Sequence, residues 1–368
     1  MSAGARARGA QARGVRGASS RRATRAVRAA GAALALAAGL AGCARRGPPS
    51  GGPPDLTPPF VVDVVPDSGA ASVARDARVS VTFSEPMEPR STGDAVTLEP
   101  RVEIRQRRWS GRTLTLVPAE TLRTSHTYTL LVGTGARDRH GNTMTSGAAV
   151  PFTTGSVFPP GRIEGTLEAL GFAAPGSYIW VYHEGRAPDS TARDFDAAGV
   201  VDENTHFRVS GLPAPGRYRL WGFADLNRNR SFEPEVDVLT SADTTIALSA
   251  EDPVAKNLAL RMVNPRAPGR VKGAVIDSTG DTLGVVRVFA IAERDTSRRV
   301  MTDADASGTF DLKLDAGAWI LRAFRDDDRN RAWRTDVEPA SPRLRVEVRP
   351  AEEVHGITLR LSRLSGGP

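Results

Sequence analysis

The strongest constraint on how this chain folds is a block that it contains twice. Gly216–Phe232, "GRYRLWGFADLNRNRSF", aligns without a gap on Gly317–Trp333, "GAWILRAFRDDDRNRAW". The flanks keep step. "GRIEGTL" from Gly161 returns as "GRVKGAV" from Gly269, "GSYIWVY" from Gly176 as "GVVRVFA" from Gly284, and "HFRVSGL" (His206–Leu212) as "TFDLKLD" (Thr309–Asp315). "LALR" at Leu258 pairs with "ITLR" at Ile357. A repeat of this length is one folding module copied, and each copy has to bury its own apolar face. Neither copy shows apolar spacing of a helical kind; each reads as roughly six or seven short strands. The content of 36 Gly and 26 Pro fits strands broken by turns. The expectation is an all-β chain, with one copy over 161–263, the second over 269–363 and Asn264–Gly269 as the linker.

A further set of strands precedes them. Runs at Phe60–Val65, Arg78–Phe83, Ala95–Leu98, Arg101–Arg105, Thr113–Val117, Thr127–Val132 and Val150–Thr153 are separated by turn residues such as Pro66-Asp67-Ser68-Gly69 and His140-Gly141-Asn142. Alternation as in Val79-Ser-Val-Thr-Phe83 turns one side chain in two toward a core. Short strands with regular turns give a sandwich over 60–155, and three tandem β-sandwiches in all. Its segments "PPFVVDVVPDSGAASVARDARVSVTFSEPM" and "YTLLVGTGARDRHGNTM", closing on "VPFTTG", resemble the bacterial Ig-like domain of the S-layer SbsA type. The resemblance implies structural motifs, with Gly141 and Asn142 shaping a turn and Asp138 bonding nearby backbone. The repeats, with G-x-[apolar]-x-G, a "V-x-V" strand and "L-x-x-G-x-Y-x-L", resemble the carboxypeptidase regulatory-like, or transthyretin-like, sandwich.

Charge excludes one class of partner. The net charge is +7, yet residues 1–42 hold eight arginines and no acid, so the rest of the chain is close to neutral at −1. The chain beyond residue 42 therefore has no excess of positive charge with which to hold nucleic-acid phosphates. The arginines belong to a leader, followed by the apolar run "AAGAALALAAGLAG" over 29–42, short for a membrane span and suited to a signal peptide. It ends in Leu40-Ala41-Gly42-Cys43, which resembles the bacterial lipobox, and Cys43 is the chain's single cysteine. The resemblance implies cleavage before Cys43 and acylation of its thiol, leaving a membrane-anchored protein of the cell envelope. In a Gram-negative cell, Ala44 rather than Asp after the cysteine implies the outer membrane. Residues 43–59, dense in Pro and Gly, read as a semi-extended tether.

Two features invite a binding role. If Asp225 opens a calcium loop, Asn227, Asn229 and Glu233 fall at its third, fifth and ninth positions; the second copy offers Asp326, Asp328 and Asn330. Against this, position six is Arg230 or Arg331 where a glycine is wanted. Position twelve is Val236 or Val337 where a bidentate Glu is wanted, with acids on either side: Glu235 and Asp237, Asp336 and Glu338. The competing reading is a loop whose acids satisfy its own backbone or pair with arginine, so that duplication alone explains the second copy. Period two places Trp180 with Tyr182 and Trp221 with Phe223, a possible platform for sugar rings or, alternatively, core. His126, His140, His183, His206 and His355 are scattered without metal-ligand spacing, and neither a nucleophile elbow nor a phosphate loop occurs. The expectation is a non-enzymatic envelope lipoprotein acting as a structural or adhesion-type spacer for an unknown envelope protein or glycan. The alternative is a carbohydrate- or peptide-binding module that passes ligand to a partner complex.

Overall fold

The computed structural model describes residues 53–188, 195–229, 232–280 and 283–362. Cys43, Arg230 and the leader lie outside them. Regular structure is nearly all strand. In the N-terminal sandwich, β1 (Val61–Val65), β2 (Val79–Phe83), β4 (Ile104–Ser110) and β5 (Thr113–Pro118) form an antiparallel sheet ordered β1-β2-β5-β4. β3 (Val96–Glu99), β6 (Thr127–Val132) and β7 (Ala148–Thr153) form the second sheet. The alternation of β2 buries Val79, Val81 and Phe83 with Leu114 and Leu116, facing Leu98, Leu130 and Phe152. Two local expectations are corrected. The strand placed at Arg101–Arg105 begins at Ile104 and runs to Ser110, and a short helix, α1 (Pro89–Ala95), precedes β3. Seven residues are too few to write a period, so the helix shows in the sequence only through its cap. Glu88 accepts from the N–H groups of Arg90 at 3.0 Å and Ser91 at 2.6 Å, and Pro89 fills the first helical position.

The first repeat comprises β8 (Gly161–Leu170), β9 (Tyr178–His183), β10 (Ala197–Val200), β11 (His206–Leu212), β12 (Gly216–Ala224), β13 (Val238–Ser241), β14 (Ile246–Leu248) and β15 (Val254–Val263). Its sheets run β11-β8-β15 and β10-β9-β12-β13, with β14 also on β12. The second repeat comprises β16 (Gly269–Asp277), β17 (Val285–Ala292), β18 (Arg299–Asp303), β19 (Thr309–Leu314), β20 (Gly317–Asp326), β21 (Leu344–Val348) and β22 (Glu353–Leu361). Its sheets run β19-β16-β22 and β18-β17-β20-β21. In both, the last strand lies parallel to the first, β15 on β8 and β22 on β16. The duplication read in the sequence is therefore a duplication of topology. Ile163, Val181, Val209, Leu220 and Met262 fill the core of the first copy; Val271, Val288, Leu312, Leu321 and Leu359 fill that of the second.

The paired glycines of the repeated G-x-[apolar]-x-G segment have a steric cause. Opposite Gly165 and Gly273 the last strand bulges, and a Cβ at either glycine would lie 2.2 Å from the carbonyl oxygen of Leu258 or Ile357. No side chain fits there, so each copy keeps a glycine where two backbones meet.

The sandwiches meet through packed side chains. Leu131 of β6 joins Trp180, Tyr182, Ala198, Val200, Phe195 and Phe223 of the first repeat in one apolar cluster. At the other end, Asn264 donates its N–H to Leu170 O at 2.9 Å. The Arg266 guanidinium donates to the carbonyls of Pro234 at 2.8 Å, Asp237 at 2.9 Å and Val236. The linker is thus hydrogen-bonded onto the loop that follows β12.

Candidate functional site

The two acidic loops leave the ends of β12 and β20. Their sharp turn is made without glycine: Arg228 and Arg329 have φ of +60° and +59°. Asn229 donates its N–H to Asp225 Oδ1 at 3.1 Å and to Asn227 Oδ1 at 3.1 Å. Asn330 repeats the pattern on Asp326 Oδ1 at 3.0 Å and Asp328 Oδ1 at 3.2 Å. The acid that closes each loop is at position thirteen, and it is buried. Asp237 accepts from the N–H groups of Leu226 at 3.0 Å and Glu233 at 2.8 Å; Glu338 accepts from those of Asp327 at 3.2 Å and Arg334 at 2.8 Å. One carboxylate thereby spans positions two and nine in both copies. Asp237 and Glu338 carry this role although sequence reasoning placed them outside the ligand set. Their signal was an acid beside Val236 and Val337 at the same offset in each copy.

Oxygens of Asp326, Asp328 and Glu338 lie within 4.8 Å of one another, which is the spacing a hard cation needs. Guanidinium groups already stand among them. Arg287 Nε donates to Asp326 Oδ2 at 2.6 Å, and Arg334 Nη2 lies 3.4 Å from Asp328 Oδ2 and 3.5 Å from Glu338 Oε1. Burial raises the Asp326 carboxyl, but Arg287 and the N–H groups of Arg331 and Asn330 outweigh it and hold the group below the usual carboxylate range. In the first loop, Asn227 and Asn229 donate their side-chain amides to Glu233, each at 2.8 Å. The oxygens are thus engaged by the loop's own donors, and resident arginines supply the counter-charge in the second copy.

The pairing of β9 with β12 brings the two aromatic pairs onto one face. Trp180 on β9 stands opposite Trp221 on β12, and Phe223 follows two residues on. That face is not an open platform. Trp180 is 6% exposed, Tyr182 0% and Phe223 2%. Phe195 stacks on Trp180 at 5.8 Å between ring centroids, and Leu131 and Ala149 of the preceding sandwich pack on the same cluster. Trp221 alone of the four is half-buried. The expectation of a stacking surface is corrected because the neighbouring sandwich and the segment before β10 cover it, which a strand pattern cannot reveal.

In the second repeat the corresponding face is open. Phe289 and Ile291 on β17, Ile320 on β20, Met301 on β18 and Trp333 line a groove of about 800 Å³. Arg299, Arg322, Arg331 and Arg343 stand around it. The Arg322 guanidinium lies 4.3 Å from the centre of the Trp333 ring.

The turn after β6 completes the description of the N-terminal sandwich. Asp138, fully buried, accepts at Oδ1 from the N–H groups of His140 and Asn142, both at 2.8 Å, and at Oδ2 from the Asn142 side chain at 2.7 Å. Residues 55–154 match the sequence model of the bacterial Ig-like domain. This sandwich is similar to that family. The two repeats lie outside the match, and no curated protein matches the chain in sequence. Among solved structures, the TIE protein of Bacillus anthracis is similar over 85% of this chain and 59% of its own, at 13% identity and a TM-score of 0.23. The chain thus spans about three-fifths of that structure's length. A putative cell adhesion protein of Bacteroides ovatus matches 57% of this chain and 97% of its own, at 13% identity and a TM-score of 0.27. The minor pilin GBS52 of Streptococcus agalactiae matches 56% and 99%, at 10% identity and a TM-score of 0.22. Among the described residues, no helix is long and apolar enough to cross a membrane; strands that cross as a barrel are a separate matter.

Proposed function

We propose that this chain is a non-catalytic cell-envelope lipoprotein, a structural or adhesion-type scaffold held at a membrane by acylated Cys43. In a Gram-negative cell the membrane is the outer one. The observation that carries the reading is the apolar cluster of Leu131, Trp180, Val200 and Phe223, which fuses the Ig-like domain to the first repeat. A joint sealed by large buried side chains resists hinge motion, whereas a polar interface between domains permits it. Stiff joints suit a spacer that holds a surface away from lipid. Arg266 in turn holds the linker against the loop after β12 of the first repeat. Cys43 and the Pro/Gly-rich residues 44–59 supply an anchor and a tether, which as polyproline helix would reach about 50 Å at about 3.1 Å per residue.

Metabolic labelling with radioactive palmitate tests the anchor. The wild-type chain is expected to take up label and to fractionate with membranes, and Cys43→Ser to do neither. An unlabelled wild-type chain, or a Cys43→Ser chain that stays with the envelope, would overturn the reading.

A further inference from the structure

The second repeat leaves open a face that the first repeat buries. The pairing registers fix the equivalence and correct the sequence alignment of Gly176 with Gly284 by one residue, so that Trp180 corresponds to Phe289 and not to Val288. Trp221 faces Trp180 as Arg322 faces Phe289, and Arg219 faces Tyr182 as Ile320 faces Ile291. Phe232 and Trp333 hold the same place in the two acidic loops. Both copies therefore keep this face apolar. Among the described residues only the first has covers, namely Leu131 and Ala149 of the Ig-like domain and Phe195 before β10. In the second, residues 293–298 turn tightly between β17 and β18, with Ala292 N–H on Arg298 O at 3.1 Å, and offer no such side chain. Met301 is 41% exposed as a result.

The groove is also cationic and incompletely satisfied. Arg322 Nε is buried and has no hydrogen-bond partner among the described residues. Among the described residues no carboxylate pairs with Arg322 or Arg343, and the groove's Glu293 is already bound by Arg345, at 3.0 Å. Burial, and then the neighbouring Arg343, pull the Arg322 guanidinium below the ordinary arginine range. A half-buried cation beside a second cation favours an incoming carboxylate.

We propose that this groove docks an extended acidic polypeptide segment of a partner protein, its aliphatic side chains over Phe289, Ile291 and Met301 and its carboxylates on Arg322 and Arg343. A polypeptide fits better than a sugar. One face of the Trp333 ring is covered by Arg322, and Phe289 lies against Trp333 at 6.3 Å and edge-on to Phe324 at 5.8 Å, so stacking surface is already used. The same face in the first repeat is in fact filled by side chains of a polypeptide. This deepens the scaffold reading by giving the scaffold a place to hold a partner.

The test uses the full chain in detergent and a fluorescein-labelled peptide of about twelve residues alternating Leu and Glu, read by fluorescence anisotropy. Saturable binding is expected, weakened about tenfold or more by Arg322→Glu and by the surface change Met301→Asp, and weakened by added salt. Both variants should melt as the wild type does, and a Leu–Lys peptide should not bind. Equal binding of the Leu–Lys peptide, absence of saturation, or an affinity that both variants leave within about twofold would overturn the proposal. So would binding of polygalacturonate with the same Arg322 dependence in place of the peptide, which would assign the groove to an acidic glycan. A Cys43→Ser chain that keeps peptide binding but still fractionates with membranes would remove the lipid anchor and leave the groove standing.

Discussion

Arg322 stands in the second repeat where Trp221 stands in the first, each directly across the ladder from an aromatic residue, Phe289 or Trp180. The difference follows the fate of the face. Trp221 belongs to a cluster closed by another sandwich, whereas Arg322 lies over Trp333 at the rim of an open groove. The two sheets share the same central strand order, and what lies against one of them distinguishes their surfaces.

Trp180→Ala should destabilise the chain by about 3–5 kcal/mol, the cost of truncating a large buried aromatic. Because Trp180 ties the Ig-like domain to the first repeat, denaturant unfolding of the variant should also split the transition of the two. Phe289→Ala, at the equivalent but half-buried position, should cost less than half as much. Equal losses for the two variants would contradict the assignment of covered and open faces.

Gly165→Ala and Gly273→Ala should each be destabilising by about 2 kcal/mol or more, since the added methyl meets a backbone carbonyl that cannot move without breaking the ladder. Gly141→Ala provides the contrast. Nothing lies within 4 Å of its Cβ position, and its cost should come from its φ of +93° alone. Chemical denaturation of the three variants gives the ordering.

Acid should weaken the fold through Asp138 and Asp326. Burial raises both carboxyls, but for Asp138 the Asn142 side chain and the N–H groups of Asn142, His140 and Gly141, and for Asp326 the Arg287 guanidinium and two N–H groups, bring them below the usual range. A carboxyl depressed in the folded state contributes stability above its unfolded value, about 3.9, and loses that contribution as pH falls through the folded value. Through these two carboxyls the unfolding free energy should fall below about pH 4, and His126, whose imidazole burial and then Arg123 pull below the ordinary histidine range, should add an earlier decline as pH falls through about 6.5. Asp138→Asn and Asp326→Asn should flatten that fall, and a chain that gains stability on acidification would contradict the assignment.

Thermal melting in calcium and in chelator should coincide for the wild type, because Arg287 and Arg334 neutralise the Asp326, Asp328 and Glu338 cluster from within. A transition that rises with calcium would show a metal in that place. Glu338→Ala should cost about 1–3 kcal/mol in either buffer, as it leaves the N–H groups of Asp327 and Arg334 without their buried acceptor.

The strand pattern was legible because alternation is local. Val79, Val81 and Phe83 write their own inward face. The turn acid Asp138 was legible for the same reason, its partners being two and four residues away. The acidic loops were half legible. Asp225, Asn227 and Asn229 do meet through short-range hydrogen bonds, but the closing acid reaches back eleven residues, and Arg287 arrives from another strand.

By itself, the sequence determined that the chain is all β, that its last two modules are copies, and that Trp180 shares a strand face with Tyr182 and Trp221 with Phe223, since period and duplication are properties of the order of residues. Only the tertiary structure decided which copy of that face is closed and which is open. Burial depends on what a distant segment lays against a sheet, and Leu131, 49 residues before Trp180, leaves no mark in the pattern of the strand it covers.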